Sequence, residues 1–243
     1  ADGRSADFQR HFLGTHFFNP PRYLRLLEII PHPQTDPALL DFMVHYGTNV
    51  LGKGVVVAKD TPNFIANRFI SISGTFGVNY ALDHGYTVAE VDNLTGPLIG
   101  RPKTATFRLN DLVGTDIMVH VNTNLYPAIP DDEAREVLNH PDSRALLDDM
   151  LVQGRLGNKR GQGFYRRVDQ PDGSKAFWEL NLHTREYEPP AKVRFESVGQ
   201  YRKLEDTGPR IRALINADDR AGQYLWHLHA FYLTYAARRL GEI

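Results

Sequence analysis

A histidine and a glutamate twelve residues apart, His16 and Glu28, are the first residues in this sequence whose setting asks for a chemical explanation. His16 lies toward the end of an apolar run, residues 12–18, while Glu28 sits inside another, Leu26-Leu27-Glu28-Ile29-Ile30. A carboxylate among leucine and isoleucine gives up hydration that only a hydrogen-bonded partner replaces. An imidazole across a chain reversal would be such a partner. The carboxylate would then hold the imidazole in one tautomer, the arrangement of an oriented general base. Spacing alone leaves the plainer reading, a structural ion pair, open.

Other candidates carry an ordinary reading beside the chemical one. Asn19 precedes Pro20-Pro21, where asparagine commonly caps a reversal. Asn67 lies near a predicted helix start and suits a cap or a surface position as well as a ligand contact. Gly154, Gly157, Gly161 and Gly163 are interleaved with Arg155, Lys159 and Arg160. Such a stretch could cradle a phosphate or simply turn the chain into a strand. The other histidines show no ligand spacing backed by carboxylates, and His227 and His229 fall on different faces of a helix. No metal site is expected.

The elements that must position these residues follow from the apolar pattern. Runs at 12–18, 24–30 and 55–58 predict strands, the first two joined by a tight reversal at Asn19-Pro20-Pro21-Arg22. A helix is predicted over 36–51, with Pro37 in its first turn and Gly52 at its stop. After Pro62 the texture turns helical. Phe64, Ile65, Phe69, Ile72, Phe76 and Tyr80 form an apolar stripe about five turns long. Thr87 and Glu90 have capping-box spacing, and further helices are expected over 109–126, 132–138 and 143–153. Runs at 163–167, 176–181 and 185–187 predict a small β-meander turning at Asp172-Gly173. Residues 189–219 look loop-like apart from a short helix at 208–215, and a last helix covers 222–240. At an offset of 155 positions, Phe76, Val78, Tyr80 and Ala81 fall on Phe231, Leu233, Tyr235 and Ala236, a weak sign of a repeated helix. The fold expected is α/β in its first part and mainly α after it.

Bulk properties bound the function. Lys plus Arg (28) balance Asp plus Glu (29), so no overall field favours nucleic acid or an anionic membrane. The absence of cysteine excludes disulfides, thiolate metal sites and a cysteine nucleophile, and fits a reducing compartment. No apolar run approaches the roughly 20 residues needed to cross a bilayer. A polar start without an initiator methionine reads as a piece of something longer.

Four ordered motifs carry a family resemblance. His16-Phe17-Phe18-Asn19-Pro20 with Glu28 resembles the signature of the L-3-hydroxyacyl-CoA dehydrogenases. Lys59-Asp60-Thr61-Pro62-Asn63-Phe64-Ile65-Ala66-Asn67-Arg68 is similar to that family's junction between nucleotide and helical domains. Gly100-Arg101-Pro102 through Asp111-Leu112-Val113-Gly114-Thr115-Asp116, and Gly157-Asn158-Lys159-Arg160-Gly161-Gln162-Gly163-Phe164-Tyr165, look like its later markers. The likeness is strongest to the long bacterial multidomain enzymes of fatty-acid β-oxidation.

That resemblance implies the last strands of a Rossmann-type domain over 1–62. It places a helical domain like the C-terminal domain of 6-phosphogluconate dehydrogenase, with the meander insert, over 63–188. Residues 189–243 would be a linker and the start of a second helical repeat. It implies His16 as general base, Glu28 as its orienter, Asn67 on the substrate, and Asn19 and Lys159 near NAD. The substrate would be an acyl-CoA, with neither nucleic acid nor membrane as partner and the cytoplasm as compartment. No Gly-x-Gly-x-x-Gly turn follows a strand here, so NAD binding would be incomplete and the chain alone inactive. Two rivals remain: a dehydrogenase of 3-hydroxy acids that does not use CoA, and a helical assembly module acting as a homodimer or an intrachain repeat.

Overall fold

Strand β2, residues Leu26–Pro31, is the middle of a three-stranded sheet, and its setting explains its composition. It pairs antiparallel with β1, Leu13–Phe17, and parallel with β3, Gly54–Val57. Leu27, Ile29 and Ile30 are buried on alternating sides, as a strand covered on both faces requires. The computed structural model describes residues 1–170 and 172–243, which cluster into two units: 1–68 with 237–243, and 69–236.

In the first unit a short helix the sequence did not announce, α1 (Ala6–Arg10), is capped by Ser5. Helix α2, Pro37–His45, makes the crossover between the parallel strands β2 and β3, a connection too long for a hairpin. Asp36 caps it through the Ala38 N–H at 2.9 Å. The helix expected over 36–51 ends early, in one wide π-helical turn at Tyr46–Val50. Gly47 in that turn lies against the sheet, where a Cβ would come within 2.7 Å of Val55 Cγ2. The wide turn thus lets bare backbone approach the strands.

The second unit is mainly helical. Helix α3 (Ala66–Asp83) enters it at Phe69, and α4 (Val88–Thr95) carries the predicted capping box. The single helix expected over 109–126 is two, α5 (Phe107–Val113) and α6 (Thr115–Ala128). They are parted at Gly114, whose φ of 109° a side chain would resist. A 3₁₀ segment covers Glu133–Asn139 and α7 covers Pro141–Val152. The meander forms as β4 (Tyr165–Asp169), β5 (Lys175–Leu180) and β6 (Tyr187–Glu188), the last only two residues long. Within the stretch expected to be loop, α8 (Glu196–Tyr201) precedes α9 (Thr207–Ile215). Helix α10, Arg220–Arg238, closes the fold. Val78, Leu94, Phe107, Met150, Phe164 and Leu225 anchor the principal core.

Helices α3 and α10 run antiparallel, and their contacts exchange across the 155-residue offset. Phe76 stacks on its counterpart Phe231 at 4.0 Å with rings 3° from parallel. Phe69 meets Tyr235 at 5.2 Å, and the exchanged pair, Tyr80 with Tyr224, stands at 5.7 Å. Phe69 also meets Tyr232, while Tyr224 Oη donates to Gly77 O at 3.1 Å. This reciprocity is the pattern of an isologous, two-fold contact.

Two acids organise the rest. Asp92 accepts the N–H groups of Thr106, Phe107 and Arg108 at the start of α5. Asp111 accepts those of Phe164 (2.7 Å) and Tyr165 (2.8 Å), which ties the glycine-rich stretch to α5. Burial pushes the Asp111 carboxyl up to about 6, against those two N–H bonds and from an ordinary 3.8. The folded value lies above the unfolded one. The contribution to stability is therefore complete below the ordinary value and lost as pH rises through about 6. Asp111→Asn should cost about 1–3 kcal/mol, because an amide nitrogen cannot accept the second N–H. Wild type's lead over that variant should widen as pH falls from neutral toward 5. Denaturant melts at several pH values measure both, and a pH-independent lead contradicts the titration.

Candidate active site

His16 and Glu28 are directly opposed in the β1–β2 register, so their side chains leave the same face of the sheet. His16 Nδ1 lies 2.6 Å from Glu28 Oε2. The glutamate is fully buried, and 27% of the imidazole side chain is exposed. Glu28 also has a second set of partners. Its Oε1 accepts the N–H of Ile65 at 3.1 Å and of Ala66 at 2.7 Å. These groups stand at the entry to α3, where helical N–H groups have no partner of their own and the helix dipole is positive. One buried carboxylate therefore takes three donors from two other segments of the chain.

The turn that delivers those N–H groups is unusual. Asn63 and Phe64 both adopt left-handed backbone, with φ of 62° and 48°. Asparagine tolerates this; a phenylalanine there is strained and must be held by its surroundings. The Phe64 N–H donates to Thr61 O at 2.9 Å, and the Arg68 N–H to Asn63 O at 3.1 Å. The same turn brings the Phe64 ring to 5.7 Å from the His16 imidazole, which also meets the Phe18 ring at 4.6 Å. The imidazole is thus fixed by one short hydrogen bond and two aromatic contacts. The bonding pattern assigns the proton to Nδ1, because a carboxylate only accepts. In the neutral ring Nε2 carries the lone pair, and it has no protein partner among the described residues. It is the atom able to take a proton from a hydroxyl group, with the Glu28 charge beside the imidazolium that forms.

The remaining candidates divide between the units. Asn19 is exposed, three residues beyond His16 and just before Pro20. Asn67 is the second residue of α3, partly buried, and adjacent to the Ala66 N–H that Glu28 accepts. Both belong to the first unit with His16 and Glu28. Lys159 belongs to the second, on the 3₁₀ turn Asn158–Arg160, and its Nζ lies 2.5 Å from Asp116 Oδ1. That ammonium holds the exposed Asp116 carboxyl below its usual range. Around it the glycine-rich stretch spends N–H groups internally: Gly157 on Gln162 O and Arg160 on Gly157 O. Asp83, His140 and Asp142 bring ligand-type atoms within 4.8 Å of one another in the second unit. Of these, His140 caps α7 and faces Asp83 at 3.2 Å, and Asp142 stands in the first turn of α7.

Sequence reasoning did not find the Phe18 and Phe64 rings or the α3 N–H groups as parts of this site. The break at Thr61-Pro62-Asn63 was the available signal, as asparagine favours left-handed turns.

Known proteins resemble the chain over most of its length. Residues 4–61 match the family model for the 3-hydroxyacyl-CoA dehydrogenase NAD binding domain, and residues 64–167 that for the C-terminal domain. A probable 3-hydroxyacyl-CoA dehydrogenase of Bacillus subtilis is 50% identical over 247 residues, all of this chain and 30% of that protein. One from Deinococcus radiodurans is 48% identical over 171 residues, 69% of this chain and 46% of its own length. Among solved structures, M. tuberculosis FadB2 superposes with a TM-score of 0.54 at 29% identity, covering 64% of this chain and 52% of that one. The chain spans less than half the length of both curated relatives.

Replacing Glu28 tests the site's geometry directly. Glu28→Gln presents an amide NH₂ to donors on one side or the other, so one buried donor loses its acceptor. A loss of about 1–3 kcal/mol is expected. Nitrogen NMR of His16 should also show the Nδ1–H form giving way to a mixture of tautomers. Unchanged stability with an unchanged tautomer would mean that the 2.6 Å contact does not hold the ring.

Proposed function

Because the chain belongs to the 3-hydroxyacyl-CoA dehydrogenase family, we propose that it supplies the proton-handling half of an NAD-dependent oxidation in fatty-acid β-oxidation. The substrate is an (S)-3-hydroxyacyl-CoA and the product a 3-oxoacyl-CoA. The observation that carries the reading is the His16 imidazole bound at Nδ1 to a buried carboxylate, with Nε2 left for substrate. The C3 hydroxyl gives its proton to His16 Nε2, and the Glu28 carboxylate offsets the charge that appears on the ring. NAD, when bound, accepts the hydride that leaves C3.

Asn67 holds the substrate near its reacting carbons, and Asn19 suits the nicotinamide end, since an amide binds oxygen without adding charge. Lys159 is the residue of the second unit assigned to the cofactor. The fit to NAD is partial: this sequence has no glycine-rich strand-to-helix turn, so the pyrophosphate cradle is not among these residues. The chain by itself is therefore inactive, and activity belongs to the whole protein. A cytoplasmic setting accords with the lack of cysteine, and no described helix is long and apolar enough to cross a membrane.

A second reading concerns assembly. The reciprocal contacts of α3 and α10 favour α10 as the first helix of a second repeat, occupying the place a second copy of α3 would take. Self-association through the aromatic face of α3 is then not needed. Light scattering across a dilution series should show a monomer, and a dimer that dissociates on mutation of Phe76 opposes this reading.

In the whole protein, His16→Gln should lower turnover by about 10²–10⁴ while leaving the melting curve intact. Near-normal turnover in a folded variant removes His16 from its role. Turnover of the free 3-hydroxy acid at a rate matching its CoA thioester would instead favour a dehydrogenase that does not use CoA.

A further inference from the structure

In the second unit, the segment after the 3₁₀ turn Pro97–Ile99 faces α10 across a cavity of about 180 Å³. Its lining is Ile99, Arg101, Leu228, His229 and Tyr232. Three of these five carry polar heads, and none is an acid. The Arg101 backbone is fixed by its N–H to Gly96 O at 3.1 Å, following the left-handed Gly100. Its guanidinium, however, makes no ion pair or hydrogen bond among the described residues, while other arginines of this unit are engaged, Arg210 on Leu98 O and Arg155 on Arg185 O. A partly buried guanidinium with five donors and no acceptor is an incomplete arrangement.

Its neighbours are incomplete in the same direction. His229 Nδ1 donates to Leu225 O at 2.7 Å, which leaves Nε2 without a partner. Tyr232 packs its ring on Phe69 at 5.3 Å and is exposed at the cavity mouth, and its hydroxyl has no protein hydrogen bond among the described residues. We propose that this cavity is a binding site for one small oxyanion, a phosphate or carboxylate group, taken by Arg101 and Tyr232 with His229 alongside. Guanidinium geometry suits such a group, because parallel N–H donors match two oxygens. The cavity has room for a group of that size and opens to solvent, so a larger ligand could present its anionic end there.

The histidine gives the site a signature. Burial, with the Arg101 charge added, holds the imidazole below its usual range, which favours the neutral ring in the empty cavity. A lone pair at Nε2 facing an anionic oxygen is repulsive unless a proton lies between them. Binding therefore takes up a proton, carried either by the imidazole or by the ligand. Arg101 from one side, and Tyr232 on the helix of His229 itself, are the charged and titratable groups lining the cavity with it. Affinity should fall as pH rises through neutrality.

The test is calorimetry with inorganic phosphate and the whole chain, a measurement independent of the role of His16. We expect saturable binding of one phosphate, with a heat that varies with the ionisation enthalpy of the buffer. Arg101→Met should weaken it by at least about tenfold and Arg101→Lys by less, with unchanged melting. His229→Gln should abolish the buffer dependence. Coenzyme A that competes with phosphate, and loses affinity in Arg101→Met, would identify the anion as one of its phosphates. Phosphate binding without competition would identify a free anion. If Arg101→Met does not fold, Arg101→Lys and the wild-type pH dependence decide. Absence of saturable binding, or equal affinity in the folded Arg101→Met variant, overturns the proposal.

Discussion

The Glu28 carboxylate is the constraint on which the first unit is arranged, because a fully buried acid must recover from protein what it loses from water. It does so by accepting from His16 on one oxygen and from the entry to α3 on the other. Charge-assisted bonds of this kind are roughly twice as strong as neutral ones, and the positive end of a helix adds to them. The same three bonds carry structural information. They fix where β1 stands against β2, where α3 begins, and which nitrogen of His16 holds its proton. Neither the His16–Glu28 pair nor the join between strand and helix can be altered alone. The left-handed Phe64 is part of this arrangement, since its strained turn is what points the Ile65 and Ala66 N–H groups inward.

The second unit uses the same device for other ends. Asp92 collects three N–H groups where α5 starts, Asp111 collects two at the entry to β4, and Asp219 takes the Ser197 N–H and hydroxyl together with the Gly222 N–H. In each case an acid is spent on backbone that local pairing leaves unsatisfied. Gly157 and Gly163 follow from this, because both lie so close to Asp111 that a Cβ on either would collide with it. The glycine-rich stretch is therefore explained by close packing on an acid, and Lys159 emerges from it toward Asp116.

How much of this was legible depended on sequence distance. The His16–Glu28 pairing could be read because two period-two apolar runs flank a proline reversal, which brings residues twelve apart into register. The capping of α3 by Glu28 could not, since it joins positions 37 and 38 residues apart that share no local pattern. The π turn over Tyr46–Val50 looks helical in sequence, and only the approach of Gly47 to Val55 ends the α-helix there. Helix α8 was missed for a related reason. It is six residues long, and its start is secured by Asp219, 22 positions away. Gly114 was visible but ambiguous, because a glycine within a helical pattern is as often tolerated as it is a break.

The two long helices show why shared letters and shared function are separate matters. Four matching residues at one offset say little, but contacts that exchange partners under the same offset are a far stricter condition, and α3 and α10 meet it. The equivalence holds only on the faces the helices turn toward each other. Val78 of α3 is buried, while its counterpart Leu233 is 63% exposed. The N-termini differ as well. That of α10 is served by Asp219, three residues before Gly222, an acid that among the described residues holds backbone and one serine. That of α3 is served by an acid on a distant strand that also grips an imidazole. A helix N-terminus is a place for negative charge wherever it occurs; the one at α3 belongs to the candidate site because the charge it attracts is shared with His16.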